Sequence, residues 1–143
     1  MEQLPHAMKI FRMQKRIVRI MMRYKNRVSC RNLLRKLEIL PFESQYILLL
    51  MLFVVQNENL FTLNSENHTE STRQFNNFYQ PITNFTVYQK EVHYMGIRIF
   101  NNLPPYIKDI SNVRKFEIHL KRSLHIHYFY SIEEYFQYKS IKS

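Results

Sequence analysis

Only one glycine, Gly96, occurs in the 143 residues of the chain. Average usage is roughly 7%, and turns with positive φ, two-residue hairpins and phosphate-cradling loops all depend on this residue. So few glycines steer the chain toward helices and away from nucleotide-binding loops. The length suits about one domain, and hydrophobic residues at 45% with charged residues at 22% exclude wholesale disorder.

Apolar periodicity points the same way. Residues 8–27 alternate apolar and basic positions at helical spacing. Ser29 is placed to cap a helix reading CRNLLRKLEI, which Pro41 stops, and Glu43 to Gln56 makes a third helix. Residues 57–80 shift to Asn, Thr, Ser, Glu and Gln, the composition of a loosely held connector. A short strand is expected at Thr86 to Tyr88. Helices follow at Lys90 to Asn101, Tyr106 to Ile110, Val113 to His127 behind Ser111 or Asn112, and from Ser131 on. The expected fold class is mainly α, with two small helical units joined by a polar connector. A basic N-terminal unit spans 1–57, the connector 58–89 and a C-terminal unit 90–143.

The longest apolar run, YILLLMLFVV at Tyr46 to Val55, has ten residues, about half of what a bilayer span needs. It predicts a buried helix. Cys30 is the only cysteine, so neither an internal disulfide nor a cysteine-rich zinc site is available, and a nuclear or cytoplasmic address is expected. The Asn-x-Thr triplets at Asn67 and Asn84 would matter only in a secreted chain, and no apolar signal core precedes them.

Charge is concentrated at one end. Residues 1–36 carry eleven Lys and Arg against Glu2 alone, whereas 37–89 carry Arg73 against five glutamates and 90–143 carry nine basic against five acidic groups. Lys9 to Arg27 holds eight basic residues and no acidic one, although a soluble helix ordinarily interleaves signs to gain i,i+4 pairs. On a helical wheel Arg12, Arg16, Arg19 and Arg23 share a narrow arc, with Lys9, Lys15 and Arg27 at its edges. Ile10, Phe11, Met13, Ile17, Val18, Ile20, Met21 and Tyr24 fill the opposite arc, interrupted by Gln14. That pattern predicts a core face backed by a face for an anion, with nucleic acid and an anionic membrane surface both suited to it. Arg12, Lys15, Arg16, Arg19, Arg23 and Arg27 are the candidate binding residues.

Catalytic equipment is sparse. Asp109 is the only aspartate, so the acidic clusters that hold paired metal ions for phosphoryl transfer are lacking. His125 and His127 diverge on a helix, Glu133 and Glu134 do likewise, and Cys30 has no histidine beside it in sequence. No catalytic residue, metal, cofactor or small-molecule substrate is expected, and the chain is expected not to be an enzyme.

A series of words in the sequence carries a resemblance. MQKRIVRIMM, SCRNLLRKLEILPFESQYI, LFVVQNENLF, NSENHTESTRQ, VYQKEVHYMGIRIFNNLPPYIKDIS, KFEIHLKRSL and FYSIEEYF occur in an order that resembles the C-terminal region of non-LTR, jockey-like retrotransposon reverse transcriptases. The likeness runs from about Lys9 to Phe136. It departs at Glu91, where the family has glycine, and in the turn before Val113, which is one residue shorter. The resemblance implies a piece that follows the polymerase palm, in the thumb and beyond, without fingers, palm, endonuclease or the Tyr-x-Asp-Asp motif. It also implies that the basic helix lies along the backbone of a template-primer duplex of RNA or DNA. The expected function is sequence-independent nucleic-acid binding without catalysis; the alternatives are a protein-interaction module or a non-functional remnant of a mobile element.

Overall fold

The computed structural model describes residues 5–25, 28–63, 78–79 and 87–142. The fold is mainly α. Among the described residues the helices are α1 (Pro5–Met21), α2 (Cys30–Lys36), α3 (Phe42–Gln56), α4 (Val87–Asn101), α5 (Pro105–Lys108), α6 (Val113–His127) and α7 (Ile132–Lys142). A 3₁₀ turn at Glu58–Leu60 precedes two short strands, β1 (Thr62–Leu63) and β2 (Phe78–Tyr79), paired antiparallel with Thr62 opposite Tyr79.

The chain divides into two compact units, one formed by residues 1–46 with 121–143 and the other by 47–120. These boundaries differ from the expected segments 1–57, 58–89 and 90–143. C-terminal residues belong with N-terminal ones because side chains bind them there: Ser44 Oγ donates to the Phe129 carbonyl (2.9 Å), and Arg31 Nη2 donates to both Glu134 carboxylate oxygens (3.0 and 3.1 Å).

In the first unit α1 packs against α2 around a core of Val18, Cys30, Leu33, Leu34 and Tyr128, with Met22 and Tyr130 beside it. Gln14 fastens α1 to the turn before α3: Nε2 donates to the Leu40 carbonyl, and Oε1 accepts the Phe42 N–H, both at 2.9 Å. That N–H belongs to the first residue of α3 and has no partner within its helix, so the amide caps it from outside. The glutamine that interrupts the apolar arc is therefore a clamp.

Helix ends here manage without glycine. Arg23 and Glu38 both sit at φ 55°, in the left-handed region. After α1, the Arg23 N–H donates to Ile20 O and the Tyr24 N–H to Arg19 O, the double closure of a Schellman motif. The α1 helix thus stops at Met21, short of the expected Arg27. Glu38 closes α2 the same way, through Arg35 O and Leu34 O, so the helix expected over CRNLLRKLEI ends at Lys36. Ser29 occupies the N-cap position of α2 but makes no capping hydrogen bond with its side chain.

The second unit is built on close helix approach and aromatic stacking. Ile47, Leu50, Met51 and Val54 of α3 are buried, and a Cβ at Gly96 of α4 would stand 3.0 Å from Val54 Cγ2. The one glycine therefore serves packing inside a helix. Phe78 lies between Phe61 and Phe100, at ring distances of 5.4 and 4.5 Å, and His93 stacks flat on Phe61 at 4.6 Å. Asn101 pairs with the Phe78 backbone through both amide atoms, Oδ1 accepting its N–H and Nδ2 donating to its carbonyl. The connector expected to be loosely held is thus packed at Phe61 and Phe78; most of the rest of it, with Asn67 and Asn84, lies outside the described residues.

The strand expected at Thr86 to Tyr88 is overturned at Val87 and Tyr88, which open α4, while Thr86 lies outside the described residues. Local β preference yields here to the helical periodicity of Met95, Ile99 and Phe100, which are buried. Helix α6 spans the expected Val113 to His127, with Asn112 Oδ1 accepting the Lys115 N–H.

Candidate nucleic-acid interface

Helix α1 presents three faces. One is packed: Val18 is buried, and Phe11, Gln14, Lys15, Arg19 and Met22 are half-buried. A cationic face carries Lys9, Arg12 and Arg16, all exposed, and Arg23 and Lys25 follow the helix end, exposed as well. The third face holds Ile10, Met13, Ile17, Ile20 and Met21, which are exposed too. That corrects the expectation that the apolar arc faces the core. Of the eight apolar residues assigned to it, only Val18 is buried and only Phe11 is half-buried. The seam is set by the Gln14 clamp, by Val18 over Cys30 and Leu33, and by Phe11, whose ring meets Tyr130 edge-on at 5.0 Å.

The candidate cations thus fall into two groups. Arg12, Arg16 and Arg23 project to solvent, whereas Lys15 is half-buried over the Phe11 ring (4.6 Å). Arg19 turns inward: Nη2 reaches the Val28 carbonyl at 3.5 Å, and Nε is buried without a hydrogen-bond partner. Arg27 lies outside the described residues. Arg31 and Arg35 are tied into the unit, Arg31 to Glu134 and over the Tyr130 ring (4.3 Å), Arg35 to the Ile126 carbonyl (3.3 Å).

Behind α1 the electrostatics are those of a closed core. Burial pushes the Cys30 thiol up and outweighs the downward pull of Arg19 and Lys15, leaving a thiol whose Sγ points to the Lys15 carbonyl at 3.6 Å. The Tyr130 hydroxyl is pushed up to about 12, first by burial and then by Cys30, against Arg31 and Arg19. Neither group is ionised near neutral pH, so neither is a ready nucleophile or base.

Comparison with known protein families, curated proteins and solved structures finds no match. Among the described residues, no three His, Cys, Asp or Glu side chains are placed to hold a metal ion. No helix among them is long and apolar enough to cross a membrane, α3 included.

Sequence reasoning located the cations and missed what positions them. Gln14 could have been suspected as the lone polar residue in an apolar arc. Glu134 and Tyr130, more than a hundred residues from Arg31 in one case and nearly so in the other, left no local signal.

Proposed function

We propose that this chain binds nucleic acid through the phosphate backbone, using the cationic face of α1, and carries out no chemistry on it. The observation that carries the reading is the row of exposed Lys9, Arg12 and Arg16 on a helix with no acidic residue, followed by exposed Arg23 just past its end. Such a row neutralises successive phosphates and releases their counterions, which gives affinity without base information. The resemblance to the thumb region of jockey-like reverse transcriptases supports the same partner, a template-primer duplex. In that setting the chain is a non-catalytic C-terminal portion of an RNA-directed DNA polymerase from a mobile element, acting in nucleus or cytoplasm.

The test compares wild type with the triple variant Arg12→Gln, Arg16→Gln, Arg23→Gln on two unrelated duplex sequences. Glutamine keeps helix propensity at Arg12 and Arg16, Arg23 already stands beyond the helix in the left-handed region as a residue with a long polar side chain, and all three sites are exposed, so the fold survives. The expected result is an equal loss of affinity on both sequences. A loss confined to one sequence would replace backbone binding with base readout, and no loss on either would remove α1 as the site.

A further inference from the structure

The cations of α1 answer to a polyanion, but they leave the strip beside them unexplained. Ile10, Met13, Ile17, Ile20 and Met21 are 46 to 67% exposed, and a row of phosphates contacted along a duplex backbone offers such side chains nothing apolar. At about 100° per residue these five cover an arc of roughly 100° from Ile10 to the end of the helix at Met21. The exposed cations are centred roughly 110° to one side of that arc, and the packed face around Val18 and Phe11 lies roughly 120° to the other.

This three-way division suits a planar, two-layered partner. With the apolar arc turned down into a bilayer surface, the arginines stand at the height of the headgroups and the packed face turns away from the lipid. Pro5–Met21 contains no acidic side chain that an anionic leaflet would repel, and Tyr24, exposed just past the helix, is of a type favoured at such interfaces. We propose that α1 docks in the plane of a membrane surface rich in anionic lipid. Ile10, Met13, Ile17, Ile20 and Met21 enter the boundary between headgroups and acyl chains, while Lys9, Arg12 and Arg16 bind the headgroups. A second copy of the chain fits less well, because joining two such helices antiparallel brings their cationic rows together, and joining them in parallel still adds like charge to like. The proposal goes beyond nucleic-acid binding and shares its cations, so the apolar strip is what separates the two.

The chain contains no tryptophan, so Ile20→Trp supplies a sole reporter in the full-length protein. With phosphatidylserine-containing vesicles its emission should shift to the blue and be quenched by lipid brominated on the acyl chains; Ile118→Trp, exposed on α6, should do neither. Changing Ile17 and Ile20 together to glutamine should lower vesicle partitioning roughly tenfold or more and leave duplex binding unchanged. Changing Lys9, Arg12 and Arg16 together to glutamine should cost roughly a hundredfold on the same vesicles. Far-UV circular dichroism should show each variant as helical as wild type. Vesicle binding indifferent to Ile17 and Ile20 would overturn the proposal in favour of diffuse attraction to a chain of net charge +10. So would a dimer that this double change dissolves while the Ile20→Trp reporter ignores lipid. A lipid response that persists in a chain whose duplex binding ignores the arginines would uphold the membrane proposal and remove the nucleic-acid one.

Discussion

Gln14 ties α1 to its neighbours by hydrogen bonds where Val18 does so by packing. The glutamine amide makes two hydrogen bonds of 2.9 Å, to Leu40 O and from Phe42 N–H, and so joins α1 to the start of α3. Gln14→Leu keeps bulk and helix propensity but strands both backbone groups, at about 1–3 kcal/mol for such a loss. Chemical denaturation should register a destabilisation of that size; an unchanged midpoint would mean that water replaces the amide at no cost. Gly96 is the second residue on which packing turns. Alanine there gains helix propensity, about 1 kcal/mol, but its Cβ meets Val54 Cγ2 at 3.0 Å, and Val54 is fully buried, β-branched and stiff. Overpacking outweighs propensity, and Gly96→Ala should destabilise the fold by about 1 kcal/mol in the same assay.

Helix α4 brings a titrating group into its own core. Burial lowers the pKa of His93 from 6.5, so its neutral form is favoured in the folded state. The stability this contributes is present above pH 6.5 and is lost as pH falls through the lowered folded value. His125 on α6 shifts in the same direction, by burial first and Lys121 second, against Glu38. A melting series from neutral to acid pH should therefore show falling stability. His93→Phe, which keeps a flat ring against Phe61, should flatten part of that fall, whereas a variant slope equal to wild type would contradict the assignment. At this scale the sequence was readable where one helix decides its own ends. The span of α6 and its Asn112 cap follow from local pattern, as does α3 but for one residue at its start. The α1 seam was not readable, because an amphipathic wheel reports that two faces differ and not which one a neighbour covers. Nor was the end of α2, since a left-handed Glu38 breaks the usual association of that conformation with glycine.

Across the whole molecule, eleven of the 21 Lys and Arg residues precede residue 37, yet fold and function draw on different members of that set. Arg19, Arg31 and Arg35 are engaged with Val28, Glu134 and Ile126, while Arg12, Arg16 and Arg23 are left to solvent on or just beyond one helix. Binding through that row differs in kind from diffuse attraction to a basic protein, and salt distinguishes them. The decisive measurement is the slope of log affinity against log salt on a DNA duplex for wild type and for the Arg12, Arg16 and Arg23 glutamine variant. Three lost phosphate contacts, at about 0.9 each, should reduce the slope by about 2.7, while the same change at exposed Arg114, Lys115 and Arg122 of α6 should leave it nearly as it was. Equal reductions in the two variants, or none in the first, would contradict α1 as the site.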